Sequence, residues 1–111
     1  MSDRPEVEAV FAALADPTRR TVLDRLAEEG PLNASQLATG FPVSRQAVAK
    51  HLAILETANL VAARKQGREK LHYLNPVPIN QIAERWIGKF ERGRLHALSA
   101  LKGALEDDTD G

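Results

Sequence analysis

Cysteine is absent from this sequence of 111 residues. Disulfides, thiolate metal sites and cysteine nucleophiles are therefore excluded together. Long apolar runs are missing too. No stretch approaches the ~18 residues that a membrane span needs. The opening Met1-Ser-Asp-Arg-Pro-Glu6 has no apolar run behind a basic start, so no secretory leader is expected. The expectation is a cytoplasmic protein with no membrane partner. Catalytic signatures are equally scarce. There is no Gly-rich phosphate loop, no HExxH and no GxSxG, and Ser44 sits in no recognisable nucleophile motif. Neither catalytic residues nor a cofactor is expected.

Net charge is also lacking: 15 basic and 15 acidic side chains cancel. Their distribution does not cancel. Residues 1–42 carry a net −3, residues 43–75 a net +4 and residues 76–111 a net −1. A nucleic-acid surface needs local positive charge to displace counterions, not a basic average. The middle third supplies it with Arg45, Lys50, Arg64, Lys65, Arg68 and Lys70 against Glu56 and Glu69.

The apolar content, 43%, suffices for one domain at this length. Val7, Val10, Phe11 and Leu14 recur at helical spacing and predict a first helix over Glu6–Ala15. Asp16 can cap a second helix that starts at Pro17, buries Val22, Leu23 and Leu26, and ends at Gly30-Pro31. Asn33 can cap a short third helix through Ala38, held by Leu37. Gly40 can take the left-handed conformation that follows a helix. Ser44 caps a fourth helix, Arg45 to about Thr57, with Val48, Leu52 and Leu55 inside.

Leu60–Lys65 and Lys70–Leu74 read as two strands joined at Gln66-Gly67-Arg68-Glu69. After Asn75-Pro76-Val77-Pro78 a long last helix is expected over 79–105, and 106–111 is expected to be a disordered acidic tail. Together 1–105 reads as one domain. The fold class is all-α with a small two-stranded β-wing. Two helices joined by a glycine turn, the second basic and followed by a basic hairpin, fit a winged helix-turn-helix.

Several motifs, in order and at matching spacing, resemble the ArsR/SmtB-type (arsenic-repressor-like) winged-helix regulators. Phe11-Ala-Ala-Leu-Ala-Asp-Pro-Thr-Arg-Arg20 with Val22-Leu23 and Leu26 resembles their opening, and Val43-Ser-Arg-Gln-Ala-Val-Ala-Lys-His-Leu52 their recognition helix. Leu55-Glu56 through Leu60-Val61 resembles the lead into the wing. The resemblance covers about residues 7–75. It implies a repressor that binds a palindromic operator as a homodimer and often leaves DNA when an effector binds. Many members sense metals through cysteines in the third helix. Here that helix reads Asn33-Ala-Ser-Gln-Leu-Ala38, so that site is missing and the cysteine-free, autorepressor-like branch is the nearer match. That branch has a long C-terminal helix with an aromatic pair, which Trp86 and Phe90 resemble.

The candidate DNA-binding residues are Ser44, Arg45, Gln46, Ala49 and Lys50 on the fourth helix and Arg64, Lys65, Arg68 and Lys70 on the wing. Arg45 can pair with guanine and Gln46 with adenine in the major groove, while Lys50 meets phosphate. The wing can lie on the backbone or enter the minor groove. The plain alternatives are a solvated helix face and an edge hairpin kept soluble by its charges.

A last helix about 39 Å long, at ~1.5 Å per residue, exceeds what so small a body can cover. Val10, Phe11, Ile82, Trp86, Phe90, Leu98 and Leu101 are therefore candidates for a dimer interface, the alternative being packing within one chain. His51, His72 and His96 stand on three different elements, which argues against a metal site. Asp16 with Arg19 and Arg20 reads as a structural ion-pair cluster, although a phosphate site has the same composition. The rival functional readings are a repressor with a ligand pocket at the dimer interface, and a protein-interaction module that does not bind DNA.

Overall fold

The computed structural model describes the backbone of residues 5–110, and their side chains except at 90–92, 95 and 107–110. Where one domain was expected over 1–105, the chain divides into two units, Met1–Ile79 and Asn80–Gly111.

The first unit opens with α1 (Pro5–Leu14) and α2 (Pro17–Glu29). Asp16 caps α2 as expected: its Oδ2 accepts the Arg19 backbone N–H at 3.0 Å, with Pro17 at the first helical position. α3 (Ala34–Ala38) has only five residues, too short to persist alone. Asn33 and Gln36 close a reciprocal capping box at its start, with both bonds at 2.8 Å.

Gly40 follows at φ 86, the left-handed turn that leads to α4 (Arg45–Thr57). α4 ends in a motif that was not anticipated. Asn59 sits at φ 63, its N–H donates to the Glu56 carbonyl, and the Leu60 N–H reaches back to the Leu55 carbonyl at 2.9 Å. This is a Schellman closure with asparagine in the left-handed position. Leu55 and Leu60, which such a closure brings together, are both fully buried.

β1 (Val61–Gln66) and β2 (Glu69–Leu74) pair antiparallel, with Val61 opposite Leu74 and Gln66 opposite Glu69. Gly67 at φ 62 is the first central residue of a two-residue turn, as a type II′ hairpin requires. At the base of the hairpin Leu32 and His72 exchange backbone hydrogen bonds, at 3.2 and 2.9 Å, and so tie the α2–α3 connection to β2.

Val22, Leu26, Leu37, Val48, Leu52, Leu55 and Leu60 form the core where α2, α3, α4 and the hairpin meet. Each fully buried leucine contributes roughly 1.5–3 kcal/mol over its exposed state. α1 adds Val10 and Ala13, both buried. This corrects one expectation: Val10, placed at the dimer interface, is only 3% exposed and packs inside its own unit, whereas its neighbour Phe11 is 45% exposed. Along a helix, adjacent residues point about 100° apart, so the face that buries Val10 turns Phe11 outward.

The C-terminal helix is not one regular α-helix. α5 (Val77–Ile82) leads into a π-helical turn over Ala83–Ile87 and then α6 (Gly88–Asp110), so helix continues through the segment expected to be a disordered tail. The Gly88 N–H donates to the Ala83 carbonyl, five residues back. A π turn accommodates one extra residue. At ~100° per residue a straight helix would set Ile82 and Leu98 about 160° apart, and the extra residue reduces this to about 60°. The turn thus brings apolar positions on either side of it toward one stripe. The Phe90 side chain, half of the expected aromatic pair, lies outside the described residues.

Candidate nucleic-acid interface

Ser44 starts α4 in extended conformation and its Oγ accepts the Ala47 N–H at 3.1 Å. The cap fixes where the helix begins and therefore which residues lead it. The first-turn N–H groups of a helix lack partners within the helix, an arrangement suited to an anion. Val48, Leu52 and Leu55 bury one side, which leaves Arg45, Gln46, Ala49 and Lys50 exposed on the other.

The hairpin brings the second group. Lys65 and Lys70 stand directly opposite one another in the register, while Arg64 pairs with Leu71 on the other face. Like charges in direct opposition destabilise a hairpin unless an anion or counterion compensates. The Lys70 Nζ lies 4.0 Å from Glu56 Oε1, at the limit of ion pairing.

Arg45 and Ala49 of α4 and Arg68 and Lys70 of the wing line one open groove of about 340 Å³, floored in part by Leu52 and His72. Four of the nine expected DNA-binding residues thus share one concavity. Gln46 and Lys50 are exposed on the same helix, Lys65 stands across from Lys70, and Arg64 is turned to the opposite hairpin face.

Two carboxylates within the groove were not anticipated as part of it. Glu69 accepts from Asn33 Nδ2 at 2.9 Å and ties the wing to the start of α3, and Glu56 faces Lys70. Only the fold brings residues 33 and 69 together, and no local pattern announces the pair.

His72 is 3% exposed, and its Nδ1–H donates to the Leu32 carbonyl at 3.1 Å. A carbonyl only accepts, so that nitrogen carries the proton. His51 lies 3.3 Å from Arg19 Nη1 and 3.9 Å from Asp16 Oδ2. The Asp16–Arg19–Arg20 cluster is structural. Arg19 donates to the Ala13 and Ala12 carbonyls at 2.8 and 3.1 Å, and Arg20 to Leu14 at 2.6 Å, so both satisfy the open end of α1. The Arg19 backbone N–H holds the Asp16 carboxyl below the usual carboxylate range, helped by the Arg19 and His51 charges against partial desolvation. Among the described residues no three His, Asp or Glu converge as a metal site would require. Among them too, no helix is long and apolar enough to cross a membrane.

Arg25 was not singled out by sequence and is the most heavily engaged side chain near the turn. It donates to Glu29 Oε2 at 2.7 Å and to the carbonyls of Leu37 and Thr39 at 2.8 and 3.1 Å, with its guanidinium 5.6 Å from the Phe41 ring centre. Its i,i+4 pairing with Glu29 was visible in the sequence, but its hold on residues 37–41 was not.

A capped reading helix after a glycine turn, followed by a basic hairpin on a shared groove, defines a winged helix-turn-helix transcription regulator. The model of a helix-turn-helix domain matches residues 14–64. The chain is 45% identical over 109 residues to the HTH-type transcriptional regulator Rv2034 of Mycobacterium tuberculosis, spanning 98% of this chain and 100% of that one. An ArsR-like transcriptional regulator from Rhodococcus sp. RHA1 superposes with a TM-score of 0.70 at 41% identity, over 86% of this chain and 92% of that one. The homodimeric winged helix-turn-helix DNA-binding domain of Mb0332 from Mycobacterium bovis, a possible ArsR-family regulator, gives 0.64 at 26% identity, covering 83% and 90%. The protein belongs to the ArsR family of winged helix-turn-helix transcriptional regulators. That family and fold are those of regulators, not enzymes.

Proposed function

We propose that this protein is a cytoplasmic repressor that occupies a palindromic operator as a homodimer. The observation that carries the reading is the groove that joins Arg45 and Ala49 of α4 to Arg68 and Lys70 of the wing. Ser44, Arg45, Gln46, Ala49 and Lys50 enter the major groove, where Arg45 and Gln46 meet base edges. Lys65, Arg68 and Lys70 hold the backbone beside it, whereas Arg64, on the opposite face of the hairpin, does not share their surface. Residues 79–105 provide the dimer helix. Leu98 and Leu101, at 49% and 55% exposure, support it, as do the exposed Phe11 and Trp86 and the half-buried Ile82. Val10 has no part in it. The homodimeric state of the Mb0332 domain supports the same assembly. Two reading helices on a two-fold axis would address half-sites one helical turn apart, about 34 Å.

Binding of Gln46→Ala and Arg68→Ala to operator and scrambled DNA across a salt series tests the reading. Gln46→Ala should lose roughly 1–3 kcal/mol per contacted base and relax preference at one position of each half-site. Arg68→Ala should weaken binding to all sequences and shallow the salt dependence by about one unit for each phosphate it no longer neutralises. If neither variant changes affinity, preference or slope, the surface is misassigned and the protein-interaction reading gains.

A further inference from the structure

We propose that Arg25 is a positioning residue for DNA reading: it holds the turn that aims α4, without itself belonging to the reading surface. This rests on the function proposed above.

Three observations meet on its guanidinium. First, α3 is a single short turn of helix, and its last carbonyls lack helical partners. Arg25 Nη1 supplies one of them, donating to Leu37 at 2.8 Å, and also donates to Thr39 just past the helix at 3.1 Å. Second, the next residues lead directly to the reading helix: Gly40 turns at φ 86, Phe41 lies 5.6 Å from the guanidinium, and Ser44 caps α4 three residues later. Third, the guanidinium is itself fixed. Its Nε and Nη2 engage both oxygens of Glu29, at 2.7 and 3.5 Å, so it does not swing freely on its stem. That bond also holds the Glu29 carboxyl below its ordinary range.

One planar group therefore joins α2, the end of α3 and the turn in a single arrangement. The hydrophobic core does not do this. Leu37 anchors α3 near its end, but Phe41 is only half-buried and Gly40 is exposed. Backbone hydrogen bonds hold Thr39 and Phe41 to α3, and among the described residues the hydrogen bond that carries the turn back to α2 comes from Arg25. Without this group the core stays closed while the start of α4 can shift relative to it. Base contacts require side chains placed to within a fraction of an ångström, whereas phosphate attraction tolerates displacement. Loosening the turn thus removes sequence preference and spares general affinity.

Lysine keeps the charge but cannot present the planar fork. Arg25→Lys therefore separates positioning from charge. Operator sequences would first be selected by the wild-type full-length protein from random duplex DNA. Binding of wild type and variant to operator and to scrambled DNA is then compared well below the melting temperature of each. Arg25→Lys should weaken operator binding roughly tenfold, about the worth of one charge-assisted hydrogen bond. Scrambled DNA should be bound within about twofold of wild type, with the same salt slope. If Arg25→Lys does not fold, Glu29→Gln, which frees the guanidinium from its anchor, should shift the same ratio in the same direction by a smaller factor. An unchanged ratio in folded variants overturns the inference, as does a parallel fall on both DNAs. A wild-type protein that selects no sequence fails the DNA-reading function itself, which a changed or unchanged variant cannot do.

Discussion

Leu37, Leu55 and Leu60 of the first unit have no exposed surface, whereas Leu98, Leu101 and Leu105 of the second are each about half open. The residue type is the same and its treatment opposite. In Met1–Ile79 the helices and hairpin are short, and several elements converge on each leucine. In Asn80–Gly111 a long helix runs on from its π turn and presents its leucines along one flank, where they line a shallow apolar groove with Lys102 and Glu106. The first unit can bury its apolar surface within one chain. The second leaves its apolar flank open within the chain.

Truncating one leucine in each unit challenges this contrast most directly. Leu55→Ala should cost roughly 2–5 kcal/mol, because Leu55 is fully buried and the cavity cannot collapse between α4 and the Schellman closure behind it. Thermal unfolding followed by circular dichroism measures it. A loss below about 1 kcal/mol would show that the first core is loose after all.

The matching variant in the second unit should act on assembly. Leu101 is already half covered in one chain, so completing its burial gains only about 1 kcal/mol per copy and about 2 kcal/mol per dimer. Leu101→Ala should therefore raise the dimer dissociation constant by roughly tenfold to thirtyfold. Sedimentation across a concentration series reads it. A protein that is monomeric before the substitution, or a dimer indifferent to it, would remove α6 from the interface.

The same contrast decides what could be read from sequence. Signals confined to a few residues were legible. Asp16-Pro17, Asn33 and Ser44 each marked a helix start at the observed residue. Gly67 marked the hairpin turn, and three of the basic residues between Arg45 and Lys70 line the groove, namely Arg45, Arg68 and Lys70. Contacts between distant residues were not legible. Nothing near Arg25 points to Leu37 or Thr39, and nothing near His72 points to the Leu32 carbonyl. Val10 and Phe11 are equally apolar neighbours, and only the packing of α1 decides which is inside. The π turn left no composition signal, because its backbone bond involves no particular side chain.

The smallest expected effect concerns the corner where α1 meets α2, and it belongs to the first unit alone. The Asp16 carboxyl is held below its ordinary value of 3.8, chiefly by the Arg19 N–H it caps, with the Arg19 and His51 charges adding to this and partial desolvation opposing it. A carboxyl whose folded value is depressed stabilises the fold at pH above its unfolded value. That stabilisation is lost as the pH falls through the folded value, here below about 3.8. Asn is as good a helix cap as Asp but does not titrate. Asp16→Asn should therefore melt below wild type near neutral pH, where only Asp supplies charge beside Arg19 and His51. The gap should narrow as the pH is lowered from about 5 toward 3. Glu29, also depressed by its bond to Arg25, titrates in both proteins and cancels from the difference. The measurement is the melting temperature of the two proteins at each pH. A gap that stays constant over the range would mean that the cap works through its hydrogen bond alone, and that the charges around Asp16 add nothing to the stability of the first unit.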